Sequence, residues 1–129
     1  MKNENIENQF IGKETPFYYY DLNVLEDTLD AAYEASSKRG FHVHFALKSN
    51  FNSRLLEMIQ SKGFGADCVS GNEVQQAIDA GFNAKMITFA GVGKSDQEIN
   101  LALEHDIFAF NVESIQELEV INELAEVQG

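Results

Sequence analysis

A single cysteine (Cys68), a single proline (Pro16), no tryptophan and only nine Lys and Arg mark this chain of 129 residues. One cysteine excludes an internal disulfide framework and suits a reducing compartment. So little proline, beside 9 Gly, excludes collagen-like and linker compositions. The nine bases face 21 acids, for a formal net charge of −12. Nucleic-acid backbones and anionic membrane surfaces both attract clustered Lys and Arg, so neither is an expected partner. No apolar run approaches the ~20 residues of a membrane span. Met1-Lys2-Asn3-Glu4-Asn5 lacks the apolar core of a secretion signal. The expectation is a soluble, cytoplasmic protein.

What is present is enough apolar residue, 44%, to build one folded domain. Charge is unevenly spread: residues 95–129 hold 9 acids and no Lys or Arg. Solvated helix faces account for that stretch, and an acidic surface awaiting a partner is the alternative.

The chain divides at residue 21. Residues 1–21 read as a polar arm followed by an opening strand, Pro16 to Tyr20, in which one Phe precedes three Tyr. Residues 22–129 alternate helix and strand. Leu22, Leu25, Leu29, Ala32 and Tyr33 recur at helical spacing, and Gly40 ends that helix. Strands are then expected at Phe41–Leu47, Phe64–Val69, Met86–Ala90 and Ile107–Phe110, each followed by a helix. Gly-Phe recurs at three helix ends, Gly40-Phe41, Gly63-Phe64 and Gly81-Phe82. Three helix starts carry a Ser with Glu three residues on, the capping-box pattern: Ser70 with Glu73, Ser95 with Glu98, Ser114 with Glu117.

Strict βα alternation implies a parallel sheet, either doubly wound or closed as a barrel. The first long strand separates the two. Val43, Phe45 and Leu47 share one face, while His42, His44, Ala46 and Lys48 share the other. A doubly wound sheet needs apolar residues on both faces, whereas a barrel interior near its mouth accepts polar ones. The expected fold is therefore α/β, the first half of a (β/α)₈ TIM-type barrel, because four βα units fall well short of the about 250 residues of a whole one.

In parallel α/β folds the working residues gather where strands end. Here those ends read Lys48-Ser49-Asn50, Asp67-Cys68-Val69-Ser70, Gly91-Val92-Gly93-Lys94 and Asn111-Val112-Glu113-Ser114. Lys48, above the small Ala46, would be partly desolvated in such a mouth and freed for Schiff-base chemistry. A solvated lysine past a strand end is the plain alternative. Asp67, at the matching place one strand on, is either its neighbour, an exposed carboxylate or a local cap for the Ser70 turn. Gly93-Lys94-Ser95 imitates a phosphate loop, but Thr88 stands where its first Gly belongs, so a tight strand-to-helix turn is expected. His42 and His44 lack a third ligand, and no metal site is expected. Cys68 alternates away from Asp67 and reads as core, and Glu73 as a capping residue.

With those residues in view, the sequence resembles the fold-type III pyridoxal-phosphate-dependent decarboxylases, in the branch that acts on diaminopimelate. Thr15-Pro16-Phe17-Tyr18-Tyr19-Tyr20-Asp21 is similar to that family's opening strand. Phe45-Ala46-Leu47-Lys48-Ser49-Asn50 is similar to its cofactor-lysine motif, Tyr-Ala-x-Lys-Ala-Asn, with Phe45 and Ser49 as departures. Gly65 to Glu73, Phe89 to Lys94 and Phe110 to Ser114 follow in the family's order. The resemblance implies pyridoxal 5'-phosphate as cofactor, Lys48 as the residue that takes it as a Schiff base, and Ala46 and Asp67 beside it. It also implies conversion of meso-2,6-diaminopimelate to L-lysine, and a homodimer. Family members are much longer, with a His-containing block, a Gly-rich phosphate loop and a Glu-Pro-Gly-Arg segment that this sequence lacks. The expectation is an N-terminal portion, inactive alone. The alternatives are an ornithine- or carboxynorspermidine-type decarboxylase, a non-catalytic half-barrel that dimerises or assembles through its open edges, and a small cofactor-carrier protein of the same barrel class.

Overall fold

Four short parallel strands run side by side in the order they occur in the chain, β1 (His44–Ala46), β2 (Gly65–Cys68), β3 (Ile87–Phe89) and β4 (Ala109–Phe110). The computed structural model describes residues 7–128. The first six residues of the expected arm lie outside the described residues. Helix α1 (Leu22–Ser37) precedes the sheet, and α2 (Ser53–Ser61), α3 (Gly71–Asp79), α4 (Asp96–Glu104) and α5 (Ile115–Gln128) follow the strands in turn. A doubly wound sheet reverses its strand order at a switch point. This one never does, so right-handed crossovers put the helices on one side. That is the arrangement of a half barrel, as the polarity of the first strand leads one to expect.

The two faces differ accordingly. On the helix side Ala66, Cys68, Ile87 and Phe89 lose essentially all solvent contact and meet Leu56 and Ile59 of α2, Val74 and Ala77 of α3 and Ala102 of α4. On the inner side His44, Ala46, Asp67, Thr88 and Ala109 remain half-buried. The register joins Ala46 to Asp67, Asp67 to Thr88 and Thr88 to Ala109, so these four form one row across the sheet.

Helix ends follow the local chemistry. Asp21 caps α1 by accepting from the amides of Asn23 and Val24, so it opens a helix as well as closing the aromatic run. Ser95 and Glu98 form a complete capping box on α4. The other two boxes are half realised. Ser70 accepts from the Glu73 amide, but the Glu73 carboxylate takes the amide of Val69. Ser114 accepts from the Glu117 amide, while the Glu117 carboxylate holds Lys94. Gly40 and Gly81 take positive φ, and the following Phe amide donates back six-to-one, Phe41 to the Ser36 carbonyl and Phe82 to the Ala77 carbonyl. The same closure recurs where α4 hands over to β4, with Asp106 at φ 51 and the Ile107 amide on the Ala102 carbonyl. No Gly marks that handover, so the repeat of Gly-Phe did not reveal it.

All five expected strands are shortened or missing; those expected over Phe64–Val69, Met86–Ala90 and Ile107–Phe110 are regular over Gly65–Cys68, Ile87–Phe89 and Ala109–Phe110. Residues 16–20 join no strand, and Pro16 lies in a bend. Their rings pack locally, Phe10 against Phe17 and Tyr19, and Tyr18 along Tyr20. A strand needs a hydrogen-bonded neighbour, and none of the described strands pairs with them. The strand expected over Phe41–Leu47 is regular only from His44 to Ala46, because a 3-10 turn begins at Leu47.

Candidate active site at the carboxyl edge of the sheet

Lys48 sits in that 3-10 turn, Leu47–Ser49, directly after β1. The turn is firmly held. Leu47 is fully buried in the core, and the Ser49 hydroxyl donates to the Ala46 carbonyl at 2.7 Å. The Asn50 amide donates to the Leu47 carbonyl at 3.0 Å. Asn50 also gives its side-chain N–H to the Tyr20 hydroxyl at 2.9 Å, tying the aromatic lead-in to the lysine turn. Lys48 itself is exposed, and its ammonium has no hydrogen-bond or ion-pair partner among the described residues. The desolvation expected of it is therefore not supplied by these residues. The cause is the early turn, which lifts Lys48 off the strand that was expected to carry it.

Asp67 lies one strand over, in the row with Ala46 and Thr88. It is half-buried and caps nothing; Ser70 and Glu73 cap that turn instead. The Thr88 hydroxyl stands 3.2 Å from Oδ1 of Asp67 and 3.3 Å from the Ala66 carbonyl oxygen. His44 Nδ1 lies 3.3 Å from the same carbonyl. A carbonyl only accepts, so this contact requires the proton on Nδ1 and leaves Nε2 as an acceptor in the neutral ring. The imidazole crosses Gly65 so closely that a Cβ there would lie 2.8 Å from it, and 2.5 Å from the Met86 carbonyl oxygen.

Thr88 was not recognised from the sequence as an inner-face residue, and His44 was weighed there only as a metal ligand. The signal for Thr88 was present, a polar residue between two apolar ones in a strand, which by alternation must face the interior.

The second lysine at this edge has a different fate. Lys94 has a side chain only 1% exposed. Its Nζ donates to the carbonyls of Gly91 at 2.8 Å and Asn111 at 3.0 Å and to Glu117 Oε1 at 2.5 Å, and it lies 5.4 Å from the centre of the Phe89 ring. All three N–H donors are spent. The resemblance to a phosphate loop is thus a structural staple between the β3–α4 and β4–α5 loops.

Cys68 belongs to the core and is fully buried. Burial, reinforced by the negative charges of Glu73 and Asp67, pushes its thiol up to about 12, which removes it as a nucleophile. Glu98 of α4 reaches over to the start of α3, accepting the Gly71 amide at 2.8 Å. Backbone donation from Ser95 and then Gly71 holds its carboxyl below the usual range.

The donor set suits the aldehyde end of a pyridoxal group. An aldehyde needs a primary amine that no acid already claims, and Lys48 is one. Ala46 and Ala109 keep the inner face low on either side of Asp67 and Thr88. The phosphate end finds no cradle among the described residues, since Lys94 is already tied down.

The pyridoxal binding domain of the pyridoxal-dependent decarboxylases matches residues 25–128. A diaminopimelate decarboxylase from Bacteroides thetaiotaomicron is 57% identical over 122 residues, 94% of this chain and 32% of that protein. Among solved structures, a point mutant of diaminopimelate decarboxylase from Helicobacter pylori, complexed with L-lysine, superposes with a TM-score of 0.87 at 39% identity. That match covers 97% of this chain and 32% of the other. Diaminopimelate decarboxylase from M. jannaschii, also with L-lysine, gives 0.75 at 36% identity, covering 81% and 26%. This chain therefore spans about a third of the length of the curated relatives it matches.

Proposed function

This chain belongs to the pyridoxal-dependent decarboxylases through their pyridoxal binding domain, and from that premise we propose that it is the cofactor-anchoring half of a barrel that converts meso-2,6-diaminopimelate to L-lysine. The observation that carries the reading is Lys48, an amine without a partner among the described residues, on a hydrogen-bonded turn at the carboxyl edge of the sheet. The identity of 57% to a diaminopimelate decarboxylase supports the choice of substrate, as does the L-lysine held by two structurally similar proteins.

When bound, pyridoxal phosphate supplies an electron-withdrawing ring that stabilises the electron pair left on the substrate when carbon dioxide departs. The rest falls to the chain's own residues. Lys48 is the covalent anchor for the cofactor aldehyde, and the turn from Leu47 to Asn50 fixes where its amine can reach. Ala46 keeps the floor of the inner face clear. Asp67 supplies the one carboxylate of the Ala46–Ala109 row, half-shielded from water. The exposed Lys48 gains its desolvation from groups packed over the inner face when the barrel is whole, and a second copy of the enzyme is part of the same proposal. The cytoplasm is the proposed compartment, in keeping with a lone, unreactive cysteine.

The test is a chimera in which this chain replaces the matching stretch, 32% of the length, of the Bacteroides relative. Loaded with pyridoxal phosphate, it should release L-lysine from meso-diaminopimelate, leave ornithine unchanged and lose activity with Lys48→Ala. A folded chimera that prefers ornithine, or that keeps its activity without Lys48, would refute the proposal.

A further inference from the structure

We propose that Thr88 is a positioning residue for the cofactor site, acting through the carboxylate of Asp67. The inference rests on the reading that Lys48 anchors a pyridoxal group, and it assigns the task of aiming Asp67 to a residue on the next strand. Three observations carry it. Register places Thr88 opposite Asp67, and Asp67 opposite Ala46, on the inner face. The Thr88 hydroxyl stands 3.2 Å from Asp67 Oδ1 and 3.3 Å from the Ala66 carbonyl oxygen. Asp67 Oδ2 has no partner among the described residues.

A hydroxyl has one proton, and here it is shared between two acceptors, which accounts for both distances being long for an O–H donor. The Ala66 carbonyl also receives His44, so the proton of Thr88 is free to favour the charged oxygen. Holding Oδ1 from the β3 side stops the carboxylate from turning and leaves Oδ2 for whatever Lys48 holds. The branched side chain of Thr88 is itself fixed by the strand backbone. Unlike an exposed serine, it therefore presents the hydroxyl in one place.

The experiment uses the chimera of this chain with the Bacteroides relative, loaded with pyridoxal phosphate and read in two ways. One is the visible circular-dichroism band of the bound cofactor, which reports how it is oriented. The other is borohydride trapping of a pyridoxyl group at Lys48 relative to the other lysines. Thr88→Val keeps the shape and removes the hydroxyl; it should weaken Lys48 selectivity by roughly 10-fold, the size expected of a hydrogen bond to a charged group, and change the dichroic band. Thr88→Ser should restore both. In an Asp67→Asn background the valine substitution should add nothing. If Thr88→Val matches the wild type in band and selectivity, the inference fails; so it does if the valine effect persists undiminished beside Asp67→Asn. Should Thr88→Val not fold, the Thr88→Ser and Asp67→Asn variants decide: a serine that behaves like wild type while Asp67→Asn loses the band supports the inference, and the reverse pattern overturns it. A chimera with Thr88 in place that labels all lysines evenly refutes the anchoring role of Lys48 itself, which is a distinct result.

Discussion

Lys94 and Glu117 form a buried ion pair whose removal should be felt strongly and non-additively. The ammonium is 1% exposed and the carboxylate 12%, and the two fasten loops that end on different strands. Lys94→Met removes three hydrogen bonds and strands Glu117 with only the Glu113 amide, 3.4 Å from Oε2. Glu117→Leu strands the ammonium between two carbonyls. Breaking a buried pair from one side typically costs about 3–5 kcal/mol, because a charge is left desolvated without its counter-ion. Out of a total stability of about 5–15 kcal/mol, either variant alone should therefore lower the melting temperature by on the order of 10 °C. Removing both charges together leaves mainly lost hydrogen bonds, so Lys94→Met with Glu117→Leu should cost about 2 kcal/mol or less. Urea denaturation followed by far-ultraviolet circular dichroism gives the three free energies. Raising the salt concentration should change them little, since burial shields the pair from screening. Single variants within about 0.5 kcal/mol of wild type, or a double variant equal to the sum of the singles, would refute the reasoning.

Three further outcomes are expected. Glu98 has its carboxyl held low in the folded state, so its contribution is complete above the unfolded value, 4.5, and fades as pH falls through the lower folded one. Denaturation across that acidic window should show a shallower pH dependence for Glu98→Gln than for wild type, and parallel curves would contradict it. Gly65→Ala must push a methyl to 2.5 Å from the Met86 carbonyl oxygen, whereas Gly93 faces open space. Thermal melts should show Gly65→Ala losing about 1–3 kcal/mol and Gly93→Ala nearly nothing; equal losses would sink the steric account. For His44, nitrogen-15 spectra above neutral pH should show the Nδ1–H form, and a predominant Nε2–H form would rule out its bond to Ala66.

Most of the fold was legible because each βα unit repeats the same local rules. Alternation in Phe41–Lys48, the Gly at helix ends and the Ser-x-x-Glu starts all report on residues within five positions of one another. The inner row was legible in part, since parity alone puts Ala46 and Asp67 on the face of His44. What could not be read depends on partners far along the chain. Lys94 owes its burial to Asn111 and Glu117, which lie 17 and 23 positions away, and nothing within Gly93-Lys94-Ser95 reveals that. The aromatic run at 16–20 has strand composition, but pairing is a property of a neighbour, and its own residues cannot supply one. The early turn at Leu47 had a similar origin: a fully buried Leu47 turns into the core and leaves Lys48 exposed, where simple alternation would have kept it on the strand.

The central claim is that Lys48 is the amine that takes a pyridoxal aldehyde. Its most direct test is to incubate the chimera of this chain and the Bacteroides relative with pyridoxal phosphate, reduce with borohydride and map the modified peptides from this chain by mass spectrometry. Lys94 is tied to Glu117 and Lys62 to Glu26 and Asp30, so both should stay unmodified while Lys48 carries the pyridoxyl group. Label spread evenly over the lysines, or concentrated anywhere but Lys48, would contradict the account.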